Sequence, residues 1–328
     1  MSKKDAFFKA TAGREGKFSK YAFIGLFGLR KSFYCGIMLI ERERNAKKRR
    51  KIMEKMLTDM HTHTTFSHDG KDAPATMIEA AREKGIAFYG VSEHFDYDYD
   101  RTLMTEEERQ STLNGDEADY FHTVRHLQED YEGVVNVAVG AEFGYSDDPA
   151  VQKRYAETYE KYRPDFVINS VHGDGGRDFA RYSFEGKTKK EVYKAYLALV
   201  RRSLDAPYPY DVVGHIGYIA RYVPFADKAF SLDEFGEELD GILKAIVEKG
   251  KILEVNSANK TLENRTLPAL PIIKRYYELG GRKISFGSDA HFVQRIADKR
   301  EEIAAALKKI GFTHFTVPFR GEYIKIEI

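Results

Sequence analysis

Between Asp59 and Asp69 the chain reads DMHTHTTFSHD, three histidines and two aspartates within eleven positions, just as an apolar run ends. An H-x-H pair on an extended strand places both imidazoles on one face, whatever their purpose. The pair alone is weak evidence; its meaning depends on partners elsewhere. Such partners recur: Glu93 and His94, Glu142, His172, His215, and Asp289 with His291. Mixed imidazole and carboxylate ligation suits zinc, manganese or iron.

The elements that must position these groups follow from periodicity. Short β-rich runs at about 57–63, 86–93, 134–142, 165–171, 210–215, 251–256 and 283–288 alternate with amphipathic helical patterns such as PATMIEAAREKG and KEVYKAYLALVRRSL. Gly85, Gly133, Gly250 and Gly280 each end a helical pattern shortly before the next strand. Seven β–α units without a Gly-rich dinucleotide fingerprint predict an α/β fold, a seven-stranded closed barrel rather than a doubly wound sheet. The tail HFTVPFRGEYIKIEI reads as extra strands that close the structure.

Catalytic groups of such barrels gather at the C-terminal ends of the strands. Six of the seven predicted ends carry a metal-competent side chain, and strand six offers Asn256 instead. Of ten histidines, six sit at these ends and a seventh, His68, lies in the first loop. The others read as ordinary surface residues. His122 and His126 are i, i+4 on one helix, but HTVRH lacks the glutamate of H-E-x-x-H. Eight or nine donors exceed what one four-coordinate ion needs, so two or three divalent ions are expected. Three dications against about three carboxylates leave a surplus of positive charge, which favours an anionic substrate, with phosphate the natural candidate.

Composition bounds the alternatives. The single cysteine, Cys35, excludes an intramolecular disulfide and a zinc site built on several cysteines, and suits a reducing cytoplasm. Residues 1–56 carry 16 Lys/Arg against 5 Asp/Glu, whereas 57–328 carry 36 against 46. The acidic body argues against nucleic acid as partner. In YAFIGLFGLRKSFYCGIMLI, Arg30 and Lys31 interrupt the apolar run, so no membrane span is expected. The segment 1–56 is expected to be a basic extension outside the fold, consistent with a start codon placed too early, since Met53, Met56 and Met60 lie just ahead of or within the opening motif. Residues 57–328 are expected to form the catalytic barrel.

These motifs resemble those of the polymerase and histidinol phosphatase (PHP) metallophosphoesterase family over about 57–295. HTHTTFSHDG, SEH, GAE, SVHGDGG, GHIGYIARY and GSDAH stand in family order. GAEFGY and FVINSVH are most similar to the histidinol-phosphatase branch. The resemblance implies a distorted (β/α)7 barrel with a trinuclear centre. It assigns His61, His63, Glu142 and Asp289 to the first ion, with Glu142 bridging to a second completed by His172 and His215. A third would be held by His94, His291 and either His68 or Asp69, with Asp69 favoured because SHDG reads like the family's S-P-D-G variant. Glu93 would orient a ligand histidine. The implied reaction hydrolyses L-histidinol phosphate to L-histidinol and phosphate, the ions lowering the pKa of a water from 15.7 toward roughly 7. Arg221 is placed to reach the phosphate, and Lys260, Arg265 and Asn256 are weaker candidates for substrate binding. The alternatives are action on another small phosphate or a nucleic-acid end, or a metal-free, non-enzymatic module.

Overall fold

A computed structural model of the chain describes residues 57–98, 117–258 and 266–328. The basic segment 1–56, Lys260 and Arg265 lie outside the described residues. The first half runs β1 (Leu57–Asp59), α1 (Pro74–Glu83), β2 (Ile86–Val91), β3 (His94–Phe95), α2 (Glu117–Asp130), β4 (Asn136–Gly144), α3 (Pro149–Tyr162) and β5 (Phe166–Ser170). A small hairpin, β6 (Gly173–Asp174) and β7 (Arg177–Asp178), precedes α4 (Lys189–Ser203) and β8 (Val212–Val213). The remainder is α5 (Leu232–Glu248), β9 (Ile252–Asn256), α6 (Leu270–Glu278), β10 (Ile284–Gly287), α7 (Arg300–Ile310), β11 (His314–Phe319) and β12 (Glu322–Glu327).

Strands pair in the order β1-β2-β4-β5-β8-β9-β10, every pairing parallel, and β3 adds to the upper end of β4. The first and last strands meet just beyond their regular parts. Met60 N–H donates to Phe286 O at 2.9 Å, Asp289 N–H to His61 O at 2.8 Å and His63 N–H to Ala290 O at 2.8 Å. The sheet therefore closes on itself as a seven-stranded barrel, as the alternation of strand and helix patterns predicts.

Helix ends obey local chemistry. Thr188 and Glu191 form a capping box at the start of α4, and Ser231 caps α5. Gly85 (φ +74°) and Gly250 (φ +65°) end α1 and α5 in the left-handed region, where a side chain would be strained.

Period-two alternation sorts each strand between two environments. Val137, Val139, Ala141 and Phe143 of β4 join the apolar layer under the helices, as do Leu253 and Val255 of β9. The alternate residues point inward. At the N-terminal end of the barrel these are Phe88, Ala138, Phe166, Ile168, Val212 and Ile252, and they pack against Val317 and Ile326 of the β11–β12 hairpin. The hairpin thus plugs the bottom of the barrel. Further up, the inward row turns polar: Glu142, Ser170, Glu254, Asn256 and Asp289 are all buried. One end of the barrel is a hydrophobic floor and the other is a buried charged site.

Candidate metal centre

Six histidines converge at the polar end of the barrel, each delivered by a strand end. His61 and His63 follow β1, His94 opens β3, His172 follows β5, His215 follows β8 and His291 follows β10. Glu142, near the end of the long strand β4, lies at their centre and is wholly buried. Its two oxygens face different neighbours. Oε2 lies 3.2 Å from His61 Nε2, 3.5 Å from His63 Nε2 and 2.8 Å from His94 Nδ1. Oε1 lies 3.1 Å from His172 Nε2 and 2.9 Å from His215 Nε2.

These separations suit a shared cation. Donors bound at about 2.1 Å to a tetrahedral ion stand about 3.4 Å apart. The Nε2 atoms of His61 and His63 are 3.1 Å apart, and Asp289 Oδ1 lies 3.4 Å from His63 Nε2 and 3.9 Å from His61 Nε2. The His172 and His215 Nε2 atoms are 3.3 Å apart. Three groups of donors each fall within 4.8 Å: His61, His63 and Glu142; His94, Glu142 and His172; and His63, His94 and His291. Glu142 Oε2 and His94 Nδ1 stand 2.8 Å apart, and His291 Nε2 stands 3.0 Å from the Asp69 carboxylate. Imidazole and carboxylate donors packed this closely in a buried site match what a divalent cation requires. The chain therefore carries a divalent-metal-binding centre.

The loop after β1 carries the choice between His68 and Asp69. The Asp69 carboxylate lies 3.0 Å from His291 Nε2 and 3.7 Å from His94 Nε2. His68 stands behind it, its Nδ1 4.0 Å from Asp69 and its ring centroid 5.7 Å from that of His94.

A second layer fixes the imidazoles. His61 Nδ1 is 2.6 Å from Glu254 Oε1, and His172 Nδ1 is 3.0 Å from Asp96 Oδ1. His63 Nδ1 meets Ser67 Oγ at 3.2 Å, and Ser67 donates in turn to Glu93 at 2.5 Å. Thr64 N–H also donates to Glu93, at 3.0 Å, so the predicted orienting role of this carboxylate runs through Ser67 and the loop backbone. His291 Nδ1 lies 2.9 Å from Asp289 O. With Nδ1 holding the proton in each of these four, Nε2 presents its lone pair to the centre. Two glycines make room for this layer. A Cβ at Gly287 would collide with the Glu254 carboxylate and His61, and one at Gly144 with Asp96. Asp289 itself adopts φ +53°, an uncommon backbone for a residue with a side chain.

The electrostatics agree with a cation site. Burial works against ionising Glu142 and Asp289, but the surrounding imidazoles, and for Asp289 also Arg221, outweigh it and hold both carboxyls well below their usual range. Burial and the neighbouring His94 and His291 push His63 well down, keeping it neutral. Burial also opposes charging His61 and His94, but Glu142 overcomes it: His61 rises well above the ordinary value and His94 to about 9. The carboxylates thus draw positive charge into the centre, and a bound cation would compete with those protons.

The predicted substrate-binding residues diverge. Arg221 reaches the centre, its guanidinium donating to Asp289 Oδ2 at 3.2 Å. Asn256 is buried on the inward row, its Nδ2 on Glu254 at 3.2 Å and its Oδ1 accepting from Ala258 N–H at 2.9 Å. Sequence reasoning overlooked Glu254, Asp96 and Ser67. Glu254 left a signal, a carboxylate at an inward position of the otherwise apolar strand ILEVN, where an unpaired charge is costly. The helical pair His122 and His126 is exposed and joins no cluster of three donors among the described residues.

Comparison with known proteins agrees with this geometry. Residues 59–258 match the PHP domain. A probable histidinol-phosphatase from Clostridium acetobutylicum is 28% identical over 243 residues, 74% of this chain and 89% of the relative. A histidinol-phosphatase from Lactococcus lactis subsp. lactis is 28% identical over 269 residues, covering 80% and 94%. The chain superposes with TM-score 0.72 and 25% identity on a crystal structure of histidinol phosphate phosphatase from Lactococcus lactis complexed with zinc, L-histidinol and phosphate, over 82% of this chain and 99% of the other. A structure of a hisK protein from Listeria monocytogenes shares the fold at TM-score 0.65 and 24% identity, over 75% and 99%. Through the matched domain and the barrel that carries it, this chain belongs to the PHP domain family.

Proposed function

We propose that this protein is a metal-dependent histidinol-phosphatase, hydrolysing L-histidinol phosphate to L-histidinol and phosphate. One observation carries the reading: buried imidazoles and carboxylates converge on Glu142, in a chain similar to histidinol-phosphatases over 89% to 95% of their own lengths. In this proposal three ions of zinc, manganese or iron are held. His61, His63, Glu142 and Asp289 hold the first. Glu142, His172 and His215 hold the second, and Asp69, His94 and His291 the third. Asp69 is preferred to His68 because its carboxylate meets both other donors. Bound ions supply Lewis acidity toward the phosphoryl oxygens and toward the attacking water.

The chain's own residues do the rest. Glu254, Asp96 and the Ser67–Glu93 pair hold the imidazole tautomers, so the donor set is ordered before substrate arrives. Arg221 donates to a phosphoryl oxygen, and its buried Nε–H has no other acceptor. Tyr218, stacked on His215 with ring centroids 5.0 Å apart, walls the second-ion side. Water adds to phosphorus as the bond to the alkyl oxygen breaks. No described helix is long and apolar enough to cross a membrane; a cytoplasmic location is part of the proposal.

The test is metal analysis of the purified protein, then phosphate release from histidinol phosphate, nucleoside monophosphates and an oligonucleotide bearing a 3′-phosphate. Turnover concentrated on histidinol phosphate is expected. Turnover of nucleotides alone would replace the substrate, and no metal with no turnover would overturn the enzyme.

A further inference from the structure

Beside Asp69 and His291 a cavity of about 430 Å³ opens, and three cationic side chains line it: Lys71, Arg221 and Arg295. Arg221 spends one nitrogen on Asp289, and its Nε–H is buried without an acceptor. Arg295 has the same pattern, with Nη1 2.8 Å from Asp298 and Nη2 buried without an acceptor. Lys71 Nζ rests over the Phe292 ring, 5.2 Å from its centroid, and forms no ion pair among the described residues. The two segments bearing Lys71 and Arg295 are tied together: Lys71 N–H donates to His291 O at 2.8 Å and Val293 N–H to Asp72 Oδ2 at 2.9 Å.

A buried guanidinium N–H without an acceptor is unfavourable until an acceptor arrives. The two arginines that carry such groups line one cavity with the Lys71 ammonium, against the metal centre. Arginine offers fixed N–H pairs to phosphoryl oxygens, and lysine adds a mobile point charge. A phosphomonoester dianion has three non-bridging oxygens. A diester has two and a single charge, with an alkyl group on the third oxygen. Only the monoester can serve both the ions and a full set of cationic donors.

We propose that Lys71 and Arg295 complete, with Arg221, an anion-recognising wall that takes phosphoryl oxygens left by the ions and selects monoesters over diesters. The inference rests on the phosphatase reading for its reaction, but not for its binding step. Inorganic phosphate is titrated calorimetrically into the metal-loaded full chain, comparing Lys71→Ala and Arg295→Gln with the surface control Lys325→Ala. Each wall variant should bind phosphate about tenfold more weakly, with metal content and Tm unchanged, as expected when a charged hydrogen bond is lost. The kcat/KM ratio of p-nitrophenyl phosphate to bis(p-nitrophenyl) phosphate should fall by about the same factor. Lys71→Arg should restore most of both. Unchanged phosphate affinity in both variants, or equal losses on monoester and diester, would overturn the wall. Lys71-dependent phosphate binding by a protein inert toward histidinol phosphate would leave the wall standing and remove the proposed substrate.

Discussion

Glu254 joins two strand ends, taking His61 Nδ1 on one oxygen and the His215 backbone N–H on the other, both at 2.6 Å. Replacing it with alanine should lower metal affinity or activity by about 10–100-fold, as loss of a carboxylate behind a ligand histidine does. Metal content after dialysis checks this; full retention would remove its orienting role. Asp289→Ala or His215→Ala should cost orders of magnitude in kcat with the fold intact, whereas His122→Ala, on an exposed helix face, should change little. At this scale the sequence was most readable where histidines sit at strand ends, because strand periodicity locates those ends. Asp96 stayed hidden because EHFDYDYD reads as a polar loop, and nothing in it marks which aspartate turns toward His172. Asn256 shows the limit of position alone, because a strand end suits contact with substrate as well as the contact it makes with Glu254.

Strands and loops explain why these side chains meet. The pleat gives β4 one apolar face and one face ending in Glu142, so the predicted strand already implied which residues point inward. Pairings between distant residues were less accessible: the room that Gly287 leaves for Glu254 depends on β9 and β10 being neighbours. Gly287→Ala should therefore displace Glu254 and His61 and lower metal content, with the readout again metal per chain. At the opposite end, Phe166 fills the barrel above the terminal hairpin. Phe166→Ala should cost about 3–5 kcal/mol in denaturant unfolding, because it leaves a cavity under the site. The tail reads as extra strands and forms an antiparallel hairpin, but its role as a plug emerges only when the inward residues of separate strands are placed together.

Across the whole molecule, a barrel of parallel strands gathers donors from β1 through β10 into one buried cluster, so fold and site are inseparable. Charge is divided along the sequence too, a basic segment 1–56 preceding an acidic 57–328. We propose that residues 57–328 fold without that segment. A protein lacking residues 1–55 should keep its Tm and turnover, and loss of either would assign the segment a structural part. Chelation should lower Tm and zinc or manganese should restore it, since ligands that bind only the native state stabilise it. The most direct measurement is phosphate release from L-histidinol phosphate by metal-loaded protein, set against nucleoside monophosphates at equal concentration. Metal-dependent turnover that favours histidinol phosphate and is abolished by chelation is expected. Turnover that survives complete metal removal, or none with any added metal, would contradict it.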